Sequence, residues 1–164
     1  MRAQTFAACQ PCSLGTYNSE IAASACYDCS TGTYAAETAL TKCTDCNAGK
    51  FNANNRSISA TACHDCATGT YIEIAAASFC LSCGVGKFSP TLGANTSNTC
   101  QDCTTGRFSN NTGGSALADC TLCATGRYVD FTGAIECFDC GIGKYNPTTG
   151  GNSTASCLDC ELGT

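Results

Sequence analysis

Residues 63–71 read CHDCATGTY, and close variants of this segment recur along the whole chain. In each of the nine copies Gly stands three residues after the second Cys, and Tyr or Phe follows two residues later wherever the chain extends that far. The unit is therefore Cys-x-x-Cys-x-x-Gly-x-(Tyr/Phe), followed by a polar loop. Self-similarity at a short period is typical of tandem-repeat proteins. The sequence predicts a single array of about nine repeats over residues 1–164, with no separate domain.

All 18 Cys fall in Cys-x-x-Cys pairs, and each pair follows the previous one by 17 or 20 residues. The nine pairs are Cys9/Cys12, Cys26/Cys29, Cys43/Cys46, Cys63/Cys66, Cys80/Cys83, Cys100/Cys103, Cys120/Cys123, Cys137/Cys140 and Cys157/Cys160. The array lacks the atypical terminal repeats that cap most repeat domains. We therefore expect it to be truncated at both ends, either because it belongs to a longer chain or because copies abut head to tail.

The composition is too poor in large apolar residues for an ordinary hydrophobic core. Leu, Ile, Val and Phe make up about 14% of the chain, below the roughly 20% under which chains tend to stay disordered. Trp is absent, and Cys is abundant. Cross-links must therefore substitute for buried apolar area. The predicted fold class is a small disulfide-rich tandem repeat, an elongated rod of short β/turn modules with little regular secondary structure.

Each position of the motif has a local structural interpretation. The Gly provides a positive φ or allows another backbone to approach closely. The aromatic residue is the one large apolar group of each repeat, and we expect it to cover a disulfide and the neighbouring turn. The segment Gly-x-(Tyr/Phe)-x is predicted to form a strand of two or three residues. Residues 72–77 could form a single helical turn.

Translational symmetry restricts the disulfide pairing. The simplest pattern joins the second Cys of one pair to the first Cys of the next, and each bridge then removes roughly 3 kcal/mol of unfolded-state entropy. It gives Cys12–Cys26, Cys29–Cys43, Cys46–Cys63, Cys66–Cys80, Cys83–Cys100, Cys103–Cys120, Cys123–Cys137 and Cys140–Cys157. Cys9 and Cys160 then require partners in adjacent repeats or in neighbouring copies. A one-to-three and two-to-four pairing is also possible, but it leaves one of the nine pairs over.

Zinc binding and redox chemistry are the alternative uses of these Cys pairs. Two neighbouring pairs have nearly the spacing of a zinc ribbon. A zinc site with four thiolates uses two Cys-x-x-Cys pairs, however, so nine pairs would leave one pair without a partner. A redox Cys-x-x-Cys motif requires a strand–helix context that the sequence does not provide. The disulfide interpretation places the chain in an oxidising compartment, and we expect it to be extracellular or on the cell surface.

Four Asn-x-Ser/Thr sequons are consistent with that compartment. They are Asn55, Asn95, Asn110 and Asn152. Each lies in a different 20-residue repeat, and the 17-residue repeats contain none. We therefore predict that the three extra residues form a protruding tip that presents an N-linked glycan. No cofactor and no metal are expected.

Charge and catalytic motifs exclude several function classes. The net charge is −5 and no basic stripe is present, which argues against nucleic-acid binding. No apolar run is long enough to span a membrane. His64 is the single His and provides no triad, and no other catalytic constellation is present, so we predict no enzymatic activity.

Six pairs have Asp before the second Cys, where an Asx turn is expected. Five bases precede the aromatic residue, and each is expected to screen the ring and backbone or to pair with a nearby Asp.

A family resemblance supports the extracellular interpretation. The runs CQPCSLGTY, CYDCSTGTY, CHDCATGTY and CFDCGIGKY resemble the ephrin-receptor-like cysteine-rich repeat. They are also similar to the first half-module of tumour necrosis factor receptor cysteine-rich domains, and the Ala/Thr/Asn-rich filling resembles ciliate surface immobilisation antigens. The resemblance covers nearly all 164 residues. It implies elongated, disulfide-laddered stacking, in which Cys12, Cys29 and their equivalents bridge to the next Cys downstream.

These observations predict a structural role: a building block of a glycosylated extracellular fibre, appendage or cell-surface coat, which self-associates end to end. One alternative is a receptor or adhesin stalk that binds a protein ligand along its side. The second alternative is a zinc-binding Cys-x-x-Cys protein.

Overall fold

The computed structural model describes residues 10–20 and 25–161, and short antiparallel hairpins dominate these ranges. The strands pair in chain order: β1 Thr16–Tyr17 with β2 Tyr27–Asp28, β3 Thr33–Tyr34 with β4 Thr44–Asp45, β5 Lys50–Phe51 with β6 His64–Asp65, β7 Thr70–Tyr71 with β8 Leu81–Ser82, β9 Lys87–Phe88 with β10 Gln101–Asp102, β11 Arg107–Phe108 with β12 Thr121–Leu122, β13 Arg127–Tyr128 with β14 Phe138–Asp139, and β15 Lys144–Tyr145 with β16 Leu158–Asp159. The strand predicted around each aromatic residue is therefore confirmed.

Each hairpin belongs to one repeat unit, which runs from the second Cys of one pair to the residue before the second Cys of the next. Units 1 to 8 span 12–28, 29–45, 46–65, 66–82, 83–102, 103–122, 123–139 and 140–159. One disulfide closes each unit, and all eight predicted serial bridges are present. The Cα–Cα distances lie between 5.5 and 5.8 Å, the usual range for a disulfide. The fold is therefore a disulfide-rich tandem array.

A tight turn carrying the motif Gly opens each hairpin. In unit 4 the Thr70 amide donates to the Ala67 carbonyl at 3.0 Å. Gly69 at the third turn position has φ +81°. Thr68 at the second position is not among the residues of positive φ, and a positive φ at the third position alone is typical of a type II turn, which favours Gly because other residues are strained there. The Cys83 amide then donates to the Gly69 carbonyl at 2.8 Å and completes the hairpin.

Three backbone hydrogen bonds join each unit to the next. Between units 4 and 5 they run from the Gly69 amide to the Ser89 carbonyl (2.7 Å), from the Ile72 amide to the Ala94 carbonyl (3.0 Å) and from the Gly93 amide to the Cys66 carbonyl (2.8 Å). Equivalent bonds occur at all seven junctions between the eight units. Because backbone groups make these bonds, the junction depends little on side-chain identity. The repeat therefore propagates with one geometry despite its variable loops.

The hydrophobic core is divided into small clusters built around sulfur. In unit 7 the bonded pair Cys123–Cys137 packs with Val129 and Ala134, and the half-buried Phe108 of unit 6 covers this cluster. Phe88 of unit 5 likewise clusters with the disulfide of unit 6. The prediction that the aromatic residue covers a disulfide is confirmed for Phe88 and Phe108, and in both cases the disulfide belongs to the next unit. In these two units the aromatic ring is therefore buried by the unit that follows.

The two repeat lengths differ at one place in the loop. The four 20-residue units contain a single turn of 3₁₀-helix immediately before their closing Cys. These turns are Ala60–Ala62, Ser97–Thr99, Leu117–Asp119 and Thr154–Ser156. The expected helical turn over residues 72–77 is wrong, because that segment is bends and extended backbone. A 3₁₀-turn needs only three residues, which is the size of the insertion.

Candidate functional site

The motif Gly of each of units 1 to 6 contacts the backbone of the second unit that follows it in the chain. The Cα of Gly69 lies so close to the Gly113 carbonyl oxygen that a Cβ atom would overlap it. The same contact recurs in six pairs: Gly15 with Arg56, Gly32 with Ala76, Gly49 with Gly93, Gly69 with Gly113, Gly86 with Gly133, and Gly106 with Gly150. The motif Gly therefore serves both of the roles predicted for it, a positive φ and a close backbone approach.

The residue that approaches this Gly is itself in the left-handed region. Seven units have a described residue at this loop position: four are Gly, and Ala39, Arg56 and Ala76 have φ values of 62°, 52° and 58°. Ala39 occupies the position in unit 2, and the other six contact a motif Gly. In every case the amide of this residue also bonds the first Cys carbonyl of the preceding unit. Sequence reasoning missed this position. The available signal was the recurrence of Gly at 93, 113, 133 and 150, always at one distance from the preceding motif.

The motif Gly of unit 8 is exposed, whereas the equivalent Gly is buried in units 1 to 6. No atom lies within 4 Å of a Cβ built on Gly143, whereas Gly106 at the equivalent position of unit 6 is buried. The Tyr145 ring is 46% exposed, and Ile142 in the turn is fully exposed. We call the surface formed by Gly143, Tyr145 and Ile142 the terminal face. In units 1 to 6 the motif Gly is buried and the aromatic residue is buried or half-buried, whereas the position of Ile142 is also exposed in unit 1 (Leu14) and unit 5 (Val85).

A row of ion pairs crosses the hairpins. Four bases at the residue before the aromatic pair with the Asp opposite them on the second strand. The pairs are Lys50–Asp65 (2.5 Å), Lys87–Asp102, Arg127–Asp139 (2.8 Å) and Lys144–Asp159 (2.5 Å). Arg107 faces Leu122 instead and donates to the Cys120 carbonyl at 2.7 Å. The predicted pairing of these bases with Asp is confirmed for four of the five.

The same Asp residues do not form the Asx turns that we expected. In the described ranges no hydrogen bond joins their carboxylates to a nearby backbone amide; Asp28, for example, lies 3.7 Å from Arg56 of unit 3. The reason is geometric. Each Asp is the second residue of a β-strand, so its side chain points across the hairpin rather than along its own turn.

The four sequon asparagines, Asn55, Asn95, Asn110 and Asn152, are all exposed. The three extra residues form the 3₁₀-turn, and none of the four sequon asparagines lies within it; that the extra residues form a protruding tip stays a prediction. Asn55 and Asn110 precede that turn in the part of the loop common to both unit lengths, and Asn95 and Asn152 lie just before it. Glycan occupancy stays a prediction.

Two cysteines lie outside the ladder of disulfides. Cys160 is an exposed free thiol, and its amide donates to the Gly143 carbonyl at 2.9 Å. Cys9 lies outside the described residues. The predicted bridging of both to adjacent repeats or neighbouring copies stays a prediction.

Hydrogen bonds from backbone amides lower the pKa of two carboxylates in the loops. The amides of Ser115 and Ala116 donate to Asp119, and Ser115 also donates through its hydroxyl, which lowers the pKa of Asp119. The Ser97 amide of unit 5 donates to Glu73 of unit 4 at 2.7 Å and lowers the pKa of that carboxyl. Both groups are fully exposed and fix loop conformation. Glu73 also adds a side-chain contact between consecutive units.

Unit 7 carries an exposed apolar cluster. The ring of Phe138 lies 6.0 Å from Phe131 and 6.1 Å from Tyr128, measured between ring centroids. Phe131, Phe138 and Ile135 are 48%, 45% and 52% exposed. Unit 7 contains no sequon. The cluster is therefore a candidate contact surface on a unit without a predicted glycan.

No family model matches the chain, and no curated protein matches it. Within 10–20 and 25–161 no helix is long and apolar enough to cross a membrane. Eight disulfides in a chain of this size are typical of a secreted or extracellular protein.

Proposed function

We propose that this protein is a structural, non-enzymatic building block of a glycosylated extracellular fibre, appendage or cell-surface coat. The observation that carries the proposal is the repeated junction: three backbone hydrogen bonds at each of seven junctions, with a glycine contact to the next unit but one. A junction of this kind joins one unit of the repeat to the next and requires no other protein. Kinship with ephrin-receptor-like and tumour necrosis factor receptor-like repeats belongs to the same proposal, and the serial pairing supports it because that resemblance implies the same bridges.

Native material tests this function. We expect thiol titration without reduction to find at most a few free sulfurs per chain, and negative-stain microscopy to show filaments or a layer with a regular axial repeat. Removal of N-glycans should lower the intact mass, and replacing all four sequon Asn residues by Gln should abolish that shift. Asn54→Gln is the matched control, because Asn54 is an exposed neighbour of Asn55 outside any sequon. Mostly reduced sulfurs, or chains that are neither glycosylated nor assembled, would contradict the proposal.

The second candidate is a stalk that binds a protein ligand, and the exposed cluster of unit 7 favours it. A photo-reactive residue in place of Phe131 should then cross-link a partner protein on the native surface. The same residue in place of Ile58, which is 56% exposed in sequon-bearing unit 3, should not. Cross-linking from both positions or from neither removes the support for a stalk.

The zinc-binding alternative makes the opposite prediction for the sulfurs. Cysteines bonded as disulfides are not thiolates and cannot hold the metal. Zinc that co-purifies with about four free thiols per ion would support this alternative over the structural role.

A further inference from the structure

We propose that the exposed apolar cluster of unit 7, which contains Phe131, Ile135 and Phe138, docks a segment of another protein that is rich in apolar and basic residues. The proposal rests on the protein-binding candidate of the proposed function and names the chemistry of its partner. It does not require assembly into a fibre. The observation behind it is that one unit combines exposed aromatic rings, uncompensated acidic residues and the absence of a sequon.

The exposure of this cluster is a property of its positions in the repeat. Phe131 is the third residue after the motif aromatic, and Phe138 lies opposite that aromatic on the second strand. Both positions are exposed in every one of units 1 to 6. In unit 4, for example, Ile74 and Leu81 occupy them and are 65% and 43% exposed although two further units follow. The neighbouring units therefore do not cover these positions.

Large apolar residues at the first of these positions are confined to units 4 and 7. The residues there in units 1 to 8 are Glu20, Glu37, Asn54, Ile74, Thr91, Asn111, Phe131 and Thr148. Unit 7 alone has an aromatic residue at both positions, and the centroids of the Phe131 and Phe138 rings are 6.0 Å apart. Exposed apolar groups that cluster in this way are typical of interaction sites, and aromatic rings are their usual anchors.

The charge around the cluster is negative. Acids outnumber bases in each of the four 17-residue units and in none of the four 20-residue units. Unit 7 has three acids and one base, and its Arg127 pairs with Asp139 at 2.8 Å. Asp130 and Glu136 remain, and both are exposed. They directly flank Phe131 and Ile135 in the sequence. An apolar surface with an acidic margin selects a partner with a basic margin.

A second copy of this chain does not provide that partner. Its unit 7 has the same negative charge, and its bases are almost all engaged. Six bases in the described ranges bond an Asp or a backbone carbonyl, and Lys42 alone does not; the six are Lys50, Arg56, Lys87, Arg107, Arg127 and Lys144. Anionic lipids and nucleic acids are repelled by the same acids. The chemistry favours a different, basic protein.

A peptide titration tests the proposal. The protein is the oxidised full chain with Cys9→Ser and Cys160→Ser, so that no mixed disulfide forms. The probe is a short labelled peptide of Leu and Lys, and fluorescence anisotropy measures its affinity. We expect saturable binding, with changes in backbone amide chemical shifts concentrated in unit 7. A peptide of the same length made of Leu and Glu should bind at least about tenfold more weakly.

Apolar variants locate the contact. Phe131→Ser/Ile135→Ser should weaken binding of the Leu and Lys peptide at least about tenfold, because both anchors are removed. The matched control is Ile58→Ser/Leu92→Ser in units 3 and 5, where the two side chains are 56% and 65% exposed. We expect its affinity to equal that of the parent. All four positions are on the surface, and matching amide spectra outside the substituted units show that each variant is folded.

Charge variants test the choice of a basic partner. Asp130→Ser/Glu136→Gln should weaken binding several-fold at low salt, and the difference should shrink as salt screens the charges. Ser replaces Asp130 because an Asn before Phe131 and Thr132 would create a sequon. The control Glu37→Gln/Asp45→Ser makes the same change of charge at exposed positions of unit 2, which lacks the cluster. Its affinity should be unchanged.

Three results would overturn the proposal. The first is equal affinity of Phe131→Ser/Ile135→Ser and the parent, or chemical-shift changes spread over all units. The second is equal binding of the Leu and Glu peptide. The third is self-association of the parent that Phe131→Ser/Ile135→Ser abolishes, because the occupant would then be a second copy. None of them alters the thiol, glycan and microscopy measurements that test the structural role, so the two can fail separately.

Discussion

Units 6 and 8 have the same length and the same motif but very different surroundings. In unit 6, Cys103 is fully buried and Gly106 contacts the Gly150 carbonyl. In unit 8, Cys140 is half-buried and Gly143 is open to solvent. The motif therefore encodes only part of its own core, and the two following units supply the rest. Stability in such an array is a sum of unit terms and neighbour terms, so equivalent substitutions should have unequal costs in the two units.

The largest difference should follow removal of one disulfide. Each of the double variants Cys103→Ala/Cys120→Ala and Cys140→Ala/Cys157→Ala loses a bridge that closes 17 positions, worth about 3 kcal/mol in the chain-entropy model. In unit 6 the change should also loosen the junctions on both sides, so amide exchange should rise in units 5 to 7. In unit 8 it should rise only locally. Equal and local effects in both variants would show that neighbouring units do not support each other.

The second difference concerns the motif glycine. Gly106→Ala and Gly143→Ala should both lose roughly 1–2 kcal/mol to the left-handed backbone, since the φ values are +77° in both. Only Gly106→Ala adds an overlap with a backbone carbonyl, so we expect it to be destabilised by at least about 2 kcal/mol more, the usual scale for overpacking. Denaturant unfolding at a concentration where the chain is monomeric measures both. Equal losses would contradict the next-but-one contact.

Much of this architecture could be predicted from the sequence because it resides in a strict repeat. The translational repeat of the cysteines favoured the serial bridges over a one-to-three and two-to-four pairing, and the invariant Gly indicated the positive φ. The ion pairs of Lys50 and Lys87 were partly predictable, because a base and an acid recur at fixed motif positions. The repeat shows which residues occupy equivalent positions in different units. That information predicts contacts within one unit, such as its disulfide and its turn.

The rest depended on how units stack, which spacing does not reveal. The left-handed loop position was hidden because Ala39, Arg56 and Ala76 occupy it alongside four glycines. Spacing also does not show where in the loop the three extra residues of the long units lie. They form a 3₁₀-turn beside the closing Cys, where the capping hydrogen bonds are local.

The third difference is a predicted gain in stability. Ala76→Gly relieves a left-handed φ of 58°, and we expect a stabilisation of about 0.5–1 kcal/mol, since the backbone strain slightly exceeds the entropy that Gly adds to the unfolded chain. Ala39→Gly, at the exposed equivalent in unit 2, should gain as much because the strain is in the backbone. Thermal unfolding of both variants measures this. A gain at only one position would show that packing, rather than φ, determines the effect.

The smallest difference is a pH dependence of the 3₁₀-turns. Asp119 caps the turn of unit 6, whereas the turn Thr154–Ser156 of unit 8 has no side-chain cap. The folded-state pKa of Asp119 is lowered by its hydrogen bonds to Ser115 and Ala116. Its stabilising effect is therefore present above the unfolded value of about 4 and is lost as the pH falls through the folded value.

Asp119→Asn should accordingly be slightly less stable than the parent at neutral pH and equal to it in strong acid. Unfolding midpoints measured across that range provide the test, and a difference that persists or grows on acidification would contradict the assignment. Ser153→Ala in the uncapped turn of unit 8 is the control, and it should show no such pH dependence.

The junctions made of main-chain hydrogen bonds have a consequence for how such a protein changes in evolution. Because the three hydrogen bonds of a junction are made by backbone groups, a gene duplication or deletion of one whole unit would preserve these bonds at the new junction, whereas a side-chain contact such as that of Glu73 with Ser97 would be lost or replaced. Both the short and the long units place the same backbone groups before the point at which their lengths diverge, so the two kinds can follow each other in any order. Natural variation in the number and order of units would therefore alter the reach of the molecule without redesign of its interior.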